Sequence, residues 1–460
     1  MTTTTSKKVS PARRFFKSRA LTAALLVAYT VLYAPAWSLN LSQAYEAALL
    51  EDASIRATRA ATDSRRERIP QARSQLLPNL SANVSRNRNS LERSAPDFRG
   101  ESAVTNSRYA SSSESVTLRQ PLFRLFQMAD YKQARAQVDD ANAVLDRELQ
   151  NVAVRVSSAY FEALLTADQL ALVLAQKLAY TTQVDAARKR LTAGVGTRTD
   201  IDEAQAALDL NLAQELEARQ NVDFTLRQLQ TLINRPIDFL ATLDPQKMQL
   251  LPPTPNRVED WIALAEDGSA EIQSLKAQLE AARYEVEKAR AGHYPTLDAL
   301  AQWSRTDSDT VNTVNNRFTN KSIGVQLNVP IFAGGLVNSQ VRQALAEQER
   351  VGQALESLRR DLGVRLHREF RGVTEGVLRV RALEQAVRST AQVVVSNRRS
   401  YEAGSRTLVD TLNAEQQSLA AQRDLAQARF VHLISRVRLQ ALVGGPKTEV
   451  IDQINGWLKP

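Results

Sequence analysis

Apolar and polar residues alternate without a break from Ser322 to Ile331. Ile323, Val325, Leu327, Val329 and Ile331 take one parity, and Ser322, Gly324, Gln326 and Asn328 take the other. A period of two puts the two sets on opposite faces of a strand. Leu297, Ala299, Ala301 and Trp303 alternate with Asp298, Gln302 and Ser304, and only Leu300 breaks the polar set. Leu80, Ala82 and Val84 alternate with Ser81, Asn83 and Ser85, and Val116 and Leu118 with Ser115 and Thr117. Four strands are therefore expected, at about 76–87, 113–123, 294–305 and 321–332. The connecting stretches 88–112 and 306–320 are rich in Ser, Asn, Asp and Thr and read as long polar loops.

Elsewhere the period changes to three and four, as at Leu145, Leu149, Val152, Val156 and Tyr160. Helices are expected over 41–74, 124–193, 200–232, 258–292, 336–403 and 409–442. In each half, the two shorter helices together match the longer one, which at ~70 residues spans roughly 100 Å. Such helices must lie beside one another, as in coiled coils. Ala134, Ala136, Ala141 and Ala143 would let neighbouring backbones come close.

The two halves repeat each other. Pro121 and Pro330 lie 209 positions apart, as do Phe161 and Phe370, and Gly194 and Gly404 lie 210 apart. This is two copies of one unit rather than a solenoid. Repeat 1 covers 37–234 and repeat 2 covers 258–443. The proline-rich segment 235–257 joins them, and with the tail 444–460 it is expected to form a collar around the middle of the helices.

One strand face is apolar and the other is small or polar, as in a barrel wall between lipid and water. Four strands cannot close a barrel, because closure takes about eight or more. The wall must then come from several chains. Two chains supply eight strands and three supply twelve, and the pattern alone does not choose.

The N-terminus carries Lys7, Lys8, Arg13, Arg14, Lys17 and Arg19, then an apolar run from Ala20 to Leu32, then Ala34-Pro35-Ala36. This reads as a secretory leader over 1–36. Removing its six basic residues lowers the net charge from +9 to +3, which weakens any nucleic-acid reading. No later stretch reads as a membrane helix of ~20 apolar residues. The chain has no cysteine, so thiolate metal sites are excluded. His293, His367 and His432 are scattered, and Gly194-Val195-Gly196 follows no strand. No catalytic, metal or cofactor constellation is expected, so any energy for transport must come from a partner.

Val329-Pro330-Ile331-Phe332-Ala333-Gly334-Gly335 and its continuation to Val341 resemble the strand-to-helix junction of TolC-like outer-membrane factors. Asp130-Tyr131-Lys132-Gln133-Ala134 to Val138 resembles the same junction in the first repeat. The likeness runs from about Leu39 to Gly444. It implies a mainly α chain with a membrane β-barrel: a homotrimer with four strands per protomer in a twelve-stranded barrel, continued by long antiparallel coiled-coil helices. The implied location is the outer membrane, with the helices reaching into the periplasm. The implied partners are a periplasmic adaptor (membrane fusion) protein, an inner-membrane ABC or RND transporter and outer-membrane lipid, with no nucleic acid. The implied role is a passive export conduit for proteins or toxic small molecules. A periplasmic coiled-coil adaptor or structural protein is the alternative class, and it predicts neither lipid-facing alternation nor duplication.

The resemblance also implies a gate at the two helix turns, marked by Gly194, Gly196 and Gly404. Tyr401 would bond to Asp200, and Arg406 would reach Thr199 and Asp200 of a neighbouring copy. Asp410 would form an inward ring. Asn413 stands where the family pattern has a second aspartate, which lowers the charge of the constriction. Alternatively, Asp200 and Asp410 are simply N-cap residues of the helices that follow the turns.

Overall fold

A computed structural model describes residues 38–96, 98–310, 313–445 and 448–459. The leader expected over 1–36 lies outside the described residues. Three helices open the chain: α1 (Leu41–Glu51), α2 (Ala53–Arg66) and α3 (Arg68–Ser74). A hairpin follows, β1 (Asn79–Pro96) and β2 (Ser102–Phe123), and then α4 (Leu125–Thr192) and α5 (Arg198–Ile233). A short β3 (Thr242–Leu243) precedes α6 (Val258–Gly268), α7 (Ala270–Arg290) and a single 3-10 turn (Ala291–His293). The second hairpin is β4 (Thr296–Thr310) and β5 (Thr313–Asn328), followed by α8 (Leu336–Glu402) and α9 (Leu408–Leu442). α10 (Glu449–Asn455) and β6 (Leu458–Lys459) end the described chain.

The expected duplication is visible in this order. The helix expected over 41–74 is three pieces: Asp52 leaves the helix in an extended conformation and caps α2 through Ser54, and a turn at Glu67 divides α2 from α3. Likewise Ser269 divides the helix expected over 258–292.

The four long strands form one antiparallel sheet in the order β1–β2–β4–β5, with β1 and β5 as open edges. The strands run well past their expected outer ends, and 88–112 and 306–320 are largely strand rather than loop. β1 and β2 stay paired out to Pro96 and Ser102, beyond the last β4 partner at Ser111. Cross-strand polar contacts hold this extension, such as Asn89 Nδ2 donating to Ser111 Oγ at 2.9 Å. Alternation is invisible there because both faces are polar. At the inner end the strand expected to reach 332 stops at Asn328, and the β2–β4 register slips at Pro121, which has no N–H to give a ladder.

Register places Leu80, Leu118, Ala301 and Ile323 in one row and Ala82, Val116 and Trp303 in the next. The apolar residues of all four strands thus share a face. In the single chain that face is bare: Ile323 is 92% exposed and Val325 72%. Ser81, Thr117, Gln302 and Ser322 form a row on the other face.

Beneath the sheet, α4 packs against α1, α2, α3 and α7 in its first half and against α5 and α9 further down. α8 packs against α6 and α7 and then α9. Two short helical runs therefore stack beside each long helix, as the matched lengths require. The first seam is closed by Tyr160, whose hydroxyl donates to the Leu39 and Ala241 carbonyls at 3.0 and 2.8 Å. Phe161 and Phe430 stack there with centroids 5.8 Å apart. The largest core joins this seam to α1, α9, α10 and β6, with Trp457 and Leu458 from the tail. β3 pairs with β6, so the inter-repeat segment and the tail meet in a small sheet on the helices. One window of α4 is apolar enough on average to match a membrane helix by length and composition. Of that window, 22% is buried within the chain, Tyr160 and Phe161 completely.

α9 crosses α8 closely. A Cβ on Gly372 would lie 2.6 Å from Ser435 Oγ, and one on Gly376 2.9 Å from His432 Nδ1. His432 is fully buried, and burial, with the nearby Arg436 charge, pulls its pKa down to about 4. The unfolded imidazole titrates near 6.5, so the unfolded chain binds the extra proton between these values. Stability from this site is complete above pH 6.5 and falls toward pH 4, by about 3 kcal/mol per chain. His432→Gln is expected to flatten this part of the stability profile, read as thermal unfolding midpoints at pH 4, 5, 6 and 7. An unchanged slope in the variant would contradict the assignment.

Candidate functional site: the paired helix turns

The two long helices reverse through turns of the same design. Gly194 and Gly404 have φ of +76° and +75°, a left-handed conformation that favours glycine. The Val195 N–H donates to Arg190 O at 3.0 Å, and the Ser405 N–H donates to Ser400 O at 2.9 Å. Gly196 is needed for space rather than φ, because a Cβ there would sit 2.9 Å from Arg190 Cβ and Leu191 N.

Each following helix starts with a capping box. Thr197 Oγ1 accepts from the Asp200 N–H at 3.1 Å, and Asp200 Oδ2 accepts from the Thr197 N–H at 3.1 Å. Thr407 and Asp410 do the same at 3.2 and 3.0 Å, and the Thr407 hydroxyl also donates to Asp410 Oδ2 at 2.9 Å. The threonines are the N-cap residues and the aspartates stand three positions on, in the reciprocal role. Only one oxygen of each aspartate is engaged, so the other keeps its acceptor capacity. The Thr407 backbone, the Thr407 hydroxyl and then the Arg406 charge hold the Asp410 carboxyl below its ordinary value of 3.8.

The expected contact between Tyr401 and Asp200 is not made within the chain. Among the described residues no hydrogen bond joins them, and the Arg190 guanidinium lies over the Tyr401 ring, 4.6 Å from its centroid. Arg406, Thr199 and Asn413 are exposed and form no side-chain hydrogen bond among the described residues. They stand open at the tips and on the first turn of α9.

Behind the turns lies a small core of Tyr180, Val184, Ala204, Leu408 and Leu412. Beside it Glu415, 8% exposed, accepts from Gln183 Nε2 at 2.8 Å and from Arg398 at 3.1 Å. This tie joins α4, α8 and α9. A groove of about 520 Å³ runs between α4 and α8 past Leu178, Arg190, Arg398 and Tyr401. Sequence reasoning missed Glu415 and Arg190. Glu415 had a visible signal, a carboxylate in the apolar series Leu408, Leu412, Glu415. Arg190 had none, since its partner is 211 positions away. Among the described residues no three His, Asp or Glu side chains gather as a metal site.

The family profile described as outer membrane efflux protein matches residues 44–235 and 261–445. Alkaline protease secretion protein AprF of Pseudomonas aeruginosa is 33% identical over 411 residues, covering 89% of this chain and 85% of that one. Proteases secretion protein PrtF of Dickeya chrysanthemi is 29% identical over 427 residues, 92% of each. Outer membrane protein TolC of Escherichia coli is 28% identical over 431 residues, 91% of this chain and 85% of that one. Among solved structures, the outer membrane protein VceC of Vibrio cholerae superposes with a TM-score of 0.75 at 18% identity, covering 88% and 96% of the two chains. The CmeC outer membrane channel of Campylobacter jejuni does so at 0.74 and 16%, covering 91% and 90%.

Thr197→Ala and Thr407→Ala should each weaken a hairpin tip by about 1 kcal/mol. The expected readout is faster amide exchange confined to the variant's own turn and first helical turn. Because the Asp410 carboxyl titrates below its ordinary 3.8 when folded, its contribution to the turn is present above that value and is lost as pH falls further, through the lower folded value. Thr407→Ala should reduce that acid dependence. Equal exchange at both turns in wild type and variants would remove the capping assignment.

Proposed function

The chain belongs to the outer membrane efflux protein family and is an outer-membrane channel of a tripartite export system; on that premise we propose that it works as a homotrimer gated at the paired turns. The observation that carries the trimer is the four-stranded sheet, with both edges open and one face bare and apolar. In hydrocarbon each unpaired edge group costs several kcal/mol, so β5 of one copy must pair with β1 of the next. Two copies would give eight strands, whose interior is just filled by side chains. The inward rows of Ser, Thr, Asn and Gln suit water better than such a core. Three copies give twelve strands and room for an aqueous lumen.

In this reading the helices continue the lumen into the periplasm as a passive conduit. A periplasmic adaptor and an inner-membrane transporter supply the docking and the energy. Relatives named as protease secretion proteins favour protein cargo and an ABC-type transporter over small-molecule efflux and an RND pump.

The turns are the periplasmic entrance. Asp200 and Asp410 hold their own helix starts with one oxygen and offer the other to a neighbouring copy. Arg406, which makes no side-chain hydrogen bond among the described residues, is the donor that reaches Thr199 and Asp200 across the interface. Tyr401, stacked on Arg190, keeps its hydroxyl for the same network. Charged hydrogen bonds of roughly 1.5–3 kcal/mol each are strong enough to keep the entrance shut and weak enough for a docked partner to displace. Three Asp410 carboxylates near one axis repel one another and attract cations, while Asn413 adds no charge.

Tyr401→Phe combined with Arg406→Ser is expected to raise single-channel conductance in planar bilayers, since losing two such bonds per chain shifts the closed population more than tenfold. Unchanged conductance would remove the gate from these turns. Asp410→Ala is expected to weaken inhibition by trivalent cations from the periplasmic side. Equal inhibition would place the cation site elsewhere.

A further inference from the structure

The apolar face of the sheet does not fade into mixed polarity at its outer end. It gives way to charge, with cations in excess of carboxylates. In the row of Trp303, Val116 and Ala82, the β5 member is Lys321. Two rows further out Arg86 takes the β1 position, and Arg88 follows it on the same face. Arg108 of β2 stands one row beyond, opposite Ser90. Arg86, Arg88, Arg108 and Lys321 are exposed, and among the described residues none has an acidic partner.

The other charges of this face are already paired or neighboured. Asp307 takes Arg317 at 2.8 Å and Arg305 at 3.6 Å, and Glu114 lies beside Arg305 in the register. The next carboxylate on this face, Glu92, is one row outside Arg108. The face turned the other way is different. Its rows there hold Asn83, Ser115, Ser304 and Asn320, then Ser85, Ser113, Thr306 and Phe318, then Asn87 and Ser111, then Asn89 opposite Tyr109, and its first charge further out is Arg93 opposite Thr105. Cations placed only for solubility would not be sorted by face.

We propose that these cations, set on the lipid-facing wall just outside the apolar band, bind the phosphate groups of outer-leaflet lipid whose acyl chains lie on the band. The inference rests on the barrel reading, which decides which face meets lipid. Rows on one strand face repeat every ~6.7 Å, so the first cations lie one to two rows from the apolar residues, as headgroups lie next to acyl chains. Arg86 and Arg88 present guanidinium forks suited to bidentate phosphate contacts, and Lys321 a compact charge beside an interfacial Trp. Arg86 and Arg88 are on edge strand β1 and Lys321 is on edge strand β5. Closing the barrel places one copy's arginines and the next copy's lysine on neighbouring strands. Each of the three seams then carries cations from two copies.

The test is native mass spectrometry of the full-length processed trimer in mild detergent, titrated with bis-phosphorylated lipid A or with the same lipid stripped of its phosphates. Wild type is expected to retain the phosphorylated lipid preferentially, and less so as salt is raised. Arg86→Gln/Arg88→Gln/Lys321→Gln is expected to weaken retention on the order of a hundredfold at low salt, from about fivefold per cation. Equal wild-type retention of the two lipids overturns the proposal, whatever the variant does. So does undiminished retention by the triple variant, or displacement by inorganic phosphate at equal phosphorus concentration. A wild-type chain that stays monomeric without detergent would instead defeat the barrel reading, and heat-modifiable trimers recovered from membranes tell the two failures apart.

Discussion

An open sheet edge has no partner in hydrocarbon. β1 and β5 each present a row of backbone N–H and C=O groups that no other described strand pairs. Water would tolerate those edges, but lipid does not. The bare apolar face adds a second demand, since Ile323, Val325 and Leu327 are largely exposed in the single chain. Both demands are met when copies join edge to edge, which turns the apolar face outward and leaves the Ser, Asn and Gln rows around water. On the proposed closure, the helices inherit their arrangement from the strands. Each hairpin feeds directly into a long helix, so a closed wall of strands imposes a closed wall of helices beneath it.

Much of this architecture was legible because two different periods write it. The alternation of Ile323 to Ile331 could not be helical, and the spacing of Leu145 to Tyr160 could not be a strand. The 209-residue offset then made each half a check on the other. Strand ends were less legible. Between Arg88 and Ser112 both faces are polar, so nothing in the pattern separates a strand from a loop. The breaks at Asp52 and Ser269 were hidden for another reason, since each is a local capping choice inside an otherwise helical composition.

The turns divide in the same way. Gly194 and Gly404 are readable because a left-handed residue ends a helix there, and Thr197 with Asp200 and Thr407 with Asp410 are readable as threonine followed three places on by an acid. These are short-range rules. The Arg190–Tyr401 stack and the tie of Gln183 and Arg398 to Glu415 join residues brought together only by helix packing. The sequence holds their types but not their meeting. A carboxylate at an apolar position, as at Glu415, is the one mark such a contact leaves.

How firmly each level is held then follows from what is packed there. At mid-length, Tyr160, Phe161 and Phe430 tie α4 and α9 to the collar strands in a core that also takes in the tail. At the tips the core shrinks to five buried residues, and polar ties at Glu415 and the capping boxes carry more of the load. Apolar cores resist sliding because any shift opens voids, whereas hydrogen bonds can be exchanged one for another at little net change. A partner bound at the tips therefore meets the part of the molecule that can rearrange by swapping bonds. On the proposed gating, the collar is the fixed end of the lever, and the hairpins move at the entrance without disturbing the wall in the membrane.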